Sequence, residues 1–557
     1  MKGQIIKLLE FTKLDEKELD ALIEIPPSHE LGDYALPCFS LARKYKKNPR
    51  EIAIEIASKI KLNKDFEKVE ATNGYVNFFV NKIKFAEETI GIISKKGDKY
   101  GSGDYGKEKV MIEFSQPNTH KAFHIGHVRG TSLGESLARI FEFCGNKVIR
   151  ANYSGDTGMH VAAWLWAYNK FHKKEKPKED ESWFANIYVE AAQKIQDEKN
   201  KKEIEQINKK LELKSDNKLY RIWKETRHLS IGSWERIYHE LNTRFDVHFF
   251  ESEVEKRAKQ IAKELLRKKI ANKSDGAIIV NLEKYGLDIW VLVRKDGTVL
   301  YSAKDLALAE KKFKEYKIQK SIYVVGSEQQ LHFFQLFKTL ELMKFKNAGK
   351  CIYVPISLVR FPWGKISSRT GENVLYSDFK KELVVYALKE IEKRYKLEST
   401  ELSDRALAIA IASLKYSMLK QDPNKVIIFD PKEEIKFEGN TGPYLLYSYA
   451  RAQSILEKAN YKILKKFEIK DVNIYEKKLL SELARFPEIV KDSYDGLTTN
   501  LIANYSYELA KAFSEFYHNC PVIGSKEEQY RLRLVDCFSQ TIKNSLDLLG
   551  IVVIREM

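Results

Sequence analysis

The sequence is poor in cysteine and contains no long apolar run. Five cysteines are scattered over 557 residues, and none forms a C-x-x-C pair. The sequence therefore indicates neither a cysteine-based zinc site nor a disulfide framework, and it fits a reducing compartment. The charged N-terminus lacks the apolar core of a signal peptide, and no stretch approaches the ~18 apolar residues of a membrane span. We expect a cytoplasmic protein without a membrane partner.

Positive charge exceeds negative charge along the chain. There are 95 Lys and Arg residues against 78 Asp and Glu residues, a formal net charge of +17. Such an excess of positive charge favours a polyanionic partner. Because 12% of the residues are aromatic, nucleic acid is favoured over a membrane surface as that partner. A lysine-rich proteome would give the same excess without such a partner. The 43% of hydrophobic residues excludes a disordered or fibrous chain.

The N-terminal residues 1–105 have the pattern of a small α+β domain. Asn48 and Pro49 open a helical stretch as N-cap and first helical residue. The segment GYVNFFV, residues 74–80, alternates like a strand. A glycine-rich and charged segment at 97–109 marks the boundary to the next domain.

Residues 106–400 predict a Rossmann-like parallel sheet. A strand at 110–115, a helix at about 124–144 and a strand at 148–154 form a βαβ unit. The lysine- and glutamate-rich stretch at about 165–275 predicts a helical insertion, after which the strands AIIVNL and IWVLVR resume the alternation. Residues 401–557 are almost entirely helical in pattern. The predicted class is therefore a multidomain α/β protein with a C-terminal all-α bundle.

Three histidines lie close together in SQPNTHKAFHIGHVRG, residues 115–130. They are His120, His124 and His127, and three interpretations are open: a three-histidine metal site, histidines scattered on a loop, or a nucleotide clamp. The H-E-x-x-H pattern of zinc enzymes is absent. The position, between the carboxyl end of a strand and the start of a helix, favours phosphate binding. There Gly126 would let an adenine ring approach, and imidazoles would stabilise charge on the α-phosphate.

The HIGH motif has a partner about 240 residues later, where KISSR follows a strand. The two motifs in this order resemble the HIGH and KMSKS motifs of class I aminoacyl-tRNA synthetases. The segments EFSQPN, NYSGDTG, YSAKDLALA, IYVVGSEQQLHFFQLF and TGPYLLYSYARAQSIL resemble one family among these, the arginyl-tRNA synthetases. The resemblance runs from about residue 30 almost to the C-terminus.

The resemblance implies an arginine–tRNA ligase. Such an enzyme activates L-arginine with ATP, Mg²⁺ being carried by the nucleotide, and transfers the arginyl group to the 3′ end of tRNA(Arg). The family is usually monomeric, and it usually activates arginine only with tRNA bound. The resemblance also implies an N-terminal domain that contacts the tRNA and a C-terminal domain that binds the anticodon.

The resemblance further assigns residues to the site. The planar, permanently charged guanidinium of arginine needs carboxylates and an acceptor hydroxyl. The matching positions for the substrate side chain hold Glu113, Tyr301 and Asp305, the last two on one face of a helix start. The positions near the substrate's amino and carboxyl groups hold Asn118, His124 and Gln329. The expected ATP-binding residues are His124, Gly126, His127, Lys365, Ser367 and Ser368, and the expected catalytic residues are His124, His127, Lys121 and Lys365.

One position departs from the family pattern. Ser368 stands where KMSKS has a second lysine, and Lys121, three residues before His124, is the expected substitute. The loss makes an RNA-binding paralogue without aminoacylation the alternative function. A synthetase for another amino acid is a third possibility, which the acidity of the expected pocket argues against. Asp156 either supports the site or caps a helix.

Overall fold

The structure, a computed structural model, describes residues 2–24, 26, 31–362, 375–393, 399–462 and 468–557. The chain forms two compact units. One comprises Met1–Gly97, Asn460–Ala484 and Glu515–Cys537, and the other comprises Asp98–Ala459, Arg485–Ser514 and Phe538–Met557. Within the described ranges, no helix has both the length and the apolar character needed to cross a membrane.

The N-terminal part of the first unit is an antiparallel sheet with helices. The sheet has the strand order β1-β3-β2. The predicted strand at 74–80 is its central strand, and the predicted helix starts at Pro49 with the Asn48 side chain accepting a hydrogen bond from Arg50 N. Leu36, Ile52 and the buried face of β3 form the core. In chain order the elements are α1 (Lys2–Leu8), α2 (Glu16–Leu22), β1 (Tyr34–Pro37), α3 (Leu41–Tyr45), α4 (Pro49–Lys59), β2 (Phe66–Thr72), β3 (Tyr75–Val80) and α5 (Lys82–Lys96).

The second unit is built on a parallel sheet with helices around it. Its first half comprises β4 (Lys109–Glu113), α6 (Ile125–Phe143), β5 (Lys147–Ser154), α7 (Met159–Ala167), α8 (Glu181–Lys194), α9 (Glu198–Leu213), α10 (Asn217–Glu240), β6 (Val247–Phe250) and α11 (Glu251–Arg267). Its second half comprises β7 (Asn272–Ser274), β8 (Ala277–Asn281), β9 (Ile289–Val293), α12 (Tyr301–Tyr316), β10 (Lys320–Gly326), α13 (Gln330–Leu342), β11 (Cys351–Ile356), β12 (Val359–Arg360), α14 (Tyr376–Glu392), α15 (Ser399–Leu419), β13 (Ile427–Ile428), α16 (Pro431–Glu434) and α17 (Gly442–Lys458).

The parallel sheet has the strand order β11-β10-β4-β5-β6. From β4 the chain first builds the sheet toward β6 and later returns to the other side of β4 with β10 and β11. The order therefore reverses between β4 and β10. Open α/β sheets bind ligands at such a switch point, beyond the carboxyl ends of the strands.

The insertion differs in extent from the prediction. Helices α8, α9 and α10 share an aromatic core with α7 that contains Trp164, Phe184 and Trp223. However, residues 247–250 of the predicted insertion form β6, which pairs in parallel with β5. The predicted strands at 277–282 and 289–294 exist, but they form an antiparallel sheet with β7. The short connection between them, residues 282–288, allows only antiparallel pairing.

The C-terminal region is helical, as predicted. Its last helices, α18 (Ile474–Gly496), α19 (Asn500–Asn519) and α20 (Glu528–Leu548), contribute residues to both units. In α17 the side chains of Leu445, Tyr449 and Ala452 are buried. The predicted multidomain α/β class, with a parallel sheet and a C-terminal all-α region, is confirmed.

Candidate active site

The HIGH motif forms the first turn of α6, beyond the carboxyl end of β4. His124 is the N-cap, and its Nδ1 accepts a 3.1 Å hydrogen bond from the Gly126 backbone N–H. The Nδ1 atom of His127 accepts a 3.1 Å hydrogen bond from the backbone N–H of His124. A Cβ atom on Gly126 would lie 3.0 Å from the His124 ring. The glycine therefore makes room for the capping imidazole.

Burial and these hydrogen bonds together determine the charge and the tautomer of both rings. Desolvation, reinforced by the charge of Lys121, lowers the pKa of His124 to about 4. Desolvation, followed by the charges of His124 and Lys121, also lowers the pKa of His127 well below its usual value. A neutral imidazole has one donor and one acceptor nitrogen, and Nδ1 is the acceptor in both rings. At pH 7 the two stacked rings, with centroids 3.8 Å apart, therefore carry their protons on Nε2.

The third histidine of the motif does not join this pair. His120 is fully buried, and its Nε2 lies 2.9 Å from Thr226 Oγ1 on α10. Its ring packs against Trp164 and Phe184, with centroids 4.9 and 5.8 Å away. His120 therefore connects the loop before α6 to the aromatic core of the insertion, and the three histidines do not converge on one point.

A carboxylate, a phenol and an imidazole meet at the start of α12. His332 Nε2 donates a 2.7 Å hydrogen bond to Asp305 Oδ2, and the rings of Tyr301 and His332 are 4.8 Å apart. Tyr301 and Asp305 thus project from one face of the helix, as predicted. Among the described residues, none donates to the buried Asp305 Oδ1 or pairs with the buried Tyr153 hydroxyl. Burial, with the charge of Asp305 adding to it, raises the pKa of Tyr153.

Two further carboxylates near Asp305 are paired with lysines. Glu113, at the end of β4, lies 2.5 Å from Lys312 Nζ. Glu251, after β6, accepts a 2.6 Å hydrogen bond from Lys304 Nζ. Burial is the first cause of the raised pKa of both glutamates, and the charge of Asp305 contributes to each. Three carboxylates thus face two ammonium groups, and Asp305 is the one without a lysine partner in the described structure.

Asn118 lies between this acidic cluster and a cavity of about 730 Å³. Its Oδ1 accepts a 3.1 Å hydrogen bond from Gly155 N. A Cβ atom on Gly155 would lie 2.5 Å from Asn118 Oδ1 and 3.2 Å from Glu251 Oε1, so this glycine brings the two sides of the site together. Gln329 lies in the turn after β10, at the switch point. The cavity is lined by Asn118, Lys121, Ala122, His124, His127, Ala185, Asn186, Tyr188, Val189, Ala192, Ile195, Gln196, Leu375 and Asp378.

Three predicted site residues lie outside the described residues, namely Lys365, Ser367 and Ser368. The segment that follows them is anchored beside the HIGH turn. Leu375 forms an isolated antiparallel bridge with His124, and Tyr376 N donates a 3.0 Å hydrogen bond to Phe123 O. Leu375 and Tyr376 therefore hold the start of α14 next to the two neutral imidazoles.

Asp156 has a structural role in the site wall. Its carboxylate accepts hydrogen bonds from Ser252 N at 3.0 Å and Ser252 Oγ at 2.7 Å, in the first turn of α11. Arg227 Nε on α10 donates to it at 2.9 Å. Of the two predicted roles, helix capping is the one that these contacts support.

Sequence patterns did not identify Glu251, His332 or Tyr188. Glu251 follows a short strand in a segment assigned to the insertion, and recognition of the run VHFF as a sheet strand would have indicated it. His332 lies three residues after Gln329, within the same motif, and could have been included. Tyr188 reaches the cavity only through the packing of α8, for which the sequence gives no signal.

Three family models match the chain in succession. Residues 2–80 match the arginyl tRNA synthetase N terminal domain, 89–430 the catalytic domain of class I (R) tRNA synthetases, and 445–557 the DALR anticodon binding domain. The arginine–tRNA ligase of Clostridium perfringens strain 13 is 38% identical over 565 residues, covering 99% of this chain and 98% of that protein.

Solved structures show the same architecture. The arginyl-tRNA synthetase of Thermus thermophilus superposes with a TM-score of 0.83 at 25% identity, covering 100% of this chain and 99% of that one. The enzyme from Plasmodium falciparum gives a TM-score of 0.80 at 23% identity with the same coverage, which shows the shared fold.

Proposed function

We infer that the chain is an arginine–tRNA ligase, because it belongs to the arginyl-tRNA synthetase family. The observation that carries this conclusion is the match to an arginine–tRNA ligase at 38% identity over almost the whole of both chains. The N-terminal, catalytic and anticodon-binding domain models all match, one after another along the chain. Nothing in these comparisons favours the alternative of a paralogue without aminoacylation.

The reaction proceeds in two steps. An oxygen of the arginine carboxylate attacks the α-phosphorus of ATP, a new P–O bond forms, and pyrophosphate leaves with its bridging oxygen. The terminal 2′-hydroxyl of tRNA(Arg) then attacks the carbonyl carbon of arginyl-adenylate, and AMP leaves. Mg²⁺ is carried into the site by the phosphates of ATP, and it offsets part of their negative charge.

We propose that the acidic cluster binds the arginine side chain. Asp305 Oδ2 is occupied by His332, whereas the buried Oδ1 accepts no hydrogen bond from the described residues. A guanidinium would supply both the missing donor and the missing positive charge. Tyr301, 53% exposed, lies beside it at the entrance. Glu113 contributes as an ion pair with Lys312 and not as a free carboxylate.

We propose that the cavity beside the HIGH turn binds ATP. The Nε2–H groups of His124 and His127 are neutral donors that can follow charge developing on the α-phosphate without competing for a proton. Lys121 adds a positive charge at the same cavity. Lys365, Ser367 and Ser368 complete the phosphate site in this proposal. Asn118, between the two regions, would hold the reacting end of arginine in this proposal.

Two further proposals concern partners and location. The chain acts in the cytoplasm, because ribosomes consume aminoacylated tRNA there, and it acts as a monomer, as the family usually does. The excess of positive charge suits binding to tRNA, whose phosphates supply a sequence-independent part of the affinity.

ATP–pyrophosphate exchange with each amino acid, with and without total tRNA, tests the proposed function. Exchange with arginine alone among the amino acids, and only with tRNA present, is the expected result. Exchange with arginine in the absence of tRNA would contradict the tRNA requirement but keep the substrate. No exchange under any condition, from folded protein that binds tRNA, would favour the paralogue.

A further inference from the structure

One wall of the cavity beside the HIGH turn belongs to the insertion. Helix α8 contributes Ala185, Asn186, Tyr188, Val189 and Ala192 to the lining. The ring of Tyr188 faces the opposite wall, where Lys121 Nζ lies 5.1 Å from the ring centroid. This distance is within the range of a cation–π interaction.

Contacts at its first turn and along its buried face hold α8 in place. Asp180 caps its first turn by accepting a 2.8 Å hydrogen bond from Trp183 N. Its buried face, including Phe184 and Ile187, belongs to the aromatic core around Trp164, against which Tyr188 packs at the edge. The tyrosine ring is thus supported on one side by this core.

Lys121 carries the one positive charge among the described residues that line the cavity. In the described structure it forms no ion pair, and it contacts the face of the Tyr188 ring. A carboxylate in that place would hold the ammonium but would also neutralise it. An aromatic ring attracts the ammonium through its quadrupole and leaves the full charge available to an anion.

We propose that Tyr188 is a positioning residue for ATP, which holds Lys121 toward the phosphates without neutralising it. The insertion would thereby contribute to ATP binding in the activation step as well as to the fold. This inference rests on the proposed function, because it takes the cavity as the ATP site.

The test is steady-state ATP–pyrophosphate exchange with separate titrations of ATP and arginine. Tyr188→Leu is expected to raise the KM for ATP by about 3- to 30-fold, the range of a cation–π contact, with the KM for arginine within about twofold. Tyr188→Phe keeps the ring face and is expected to lose less than about twofold. Tyr285→Leu is the matched control: it removes an exposed ring contacted by Lys284 and Lys338 outside the cavity, and both constants should remain unchanged.

A double-mutant cycle separates positioning from structure. In a Lys121→Met background, Tyr188→Leu should cause no further increase in the KM for ATP. An undiminished increase there, a Tyr188→Phe loss as large as that of Tyr188→Leu, or equal changes in both KM values would overturn the proposal. If Tyr188→Leu does not fold, Tyr188→Gln removes the π face in the same cycle. Wild-type protein without exchange would instead reject the proposed function.

Discussion

Asp305→Asn should separate recognition of arginine's charge from recognition of its shape. The substitution keeps an oxygen that can accept the 2.7 Å hydrogen bond from His332 Nε2, so the cluster should keep its geometry. At the position of the unpartnered Oδ1, however, it replaces an acceptor by an amide donor. A guanidinium, which has five donors and no acceptor, would then meet another donor.

The expected loss follows from the charge count of the cluster. Glu113 and Glu251 are already paired with Lys312 and Lys304, so we expect Asp305 to be the carboxylate that pairs with the charge of the substrate. A hydrogen bond to a charged group contributes about 1.5–3 kcal/mol, which corresponds to about a 10- to 150-fold decrease in kcat/KM for arginine.

The assay is exchange with arginine and with citrulline, which has a neutral ureido group with an acceptor oxygen. Asp305→Asn should reduce the preference for arginine over citrulline by at least about tenfold. Glu310→Gln on the same helix, whose partner is Arg257 at 2.8 Å, is the control. An unchanged preference, or a KM for ATP that rises as much as that for arginine, would refute the assignment.

Three further predictions concern the nucleotide site and stability. Lys121→Met should lower kcat/KM for ATP by about 10²–10³ while that for arginine changes only a few-fold, and comparable losses in both would exclude a phosphate role. Because the pKa of His124 is lowered to about 4, kcat/KM for ATP measured between pH 5.5 and 8 should show no effect of protonation of this ring. A decrease in kcat/KM for ATP below about pH 6.5 that is absent in His124→Asn would contradict the neutral state of His124. Burial lowers the pKa of Lys415, which donates to Leu241 O and Gly550 O, from 10.5 to about 7. The unfolded chain then binds more protons between these pH values, so the free energy of unfolding should rise from pH 7 toward pH 10 in denaturant titrations. Lys415→Met should remove that rise, and an unchanged slope would show that Lys415 stays charged.

Local patterns predicted the frame of the site. Helix α6 begins where HIGH and the strand before it placed it, because a strand, a loop and a capped helix are specified by neighbouring residues. The common face of Tyr301 and Asp305 also followed from helical spacing alone. These features depend on contacts between residues only a few positions apart, so a local sequence pattern is enough to predict them.

Pairing between distant elements was not predictable in the same way. The neutralisation of Glu113 requires Lys312, which comes from another element of the sheet unit almost 200 residues away. The insertion's end was misplaced because β6 has only four residues and follows long charged helices. Whether such a short run joins a sheet depends on its partner strand, here β5, and not on its own composition.

The crowding of histidines in the HIGH region has two separate physical reasons. A serine or asparagine N-cap would satisfy the Gly126 backbone as well as His124 does, but its short side chain would keep any remaining donor close to the helix terminus. An imidazole has nitrogens on opposite edges, so Nδ1 can cap the helix while Nε2–H remains a donor toward the cavity. His127 repeats the arrangement by accepting from His124 N. His120 instead fixes the loop to the insertion through Thr226, and with it the wall that carries Tyr188. The motif therefore combines two donors at the cavity proposed for ATP with one anchor for the helix opposite them.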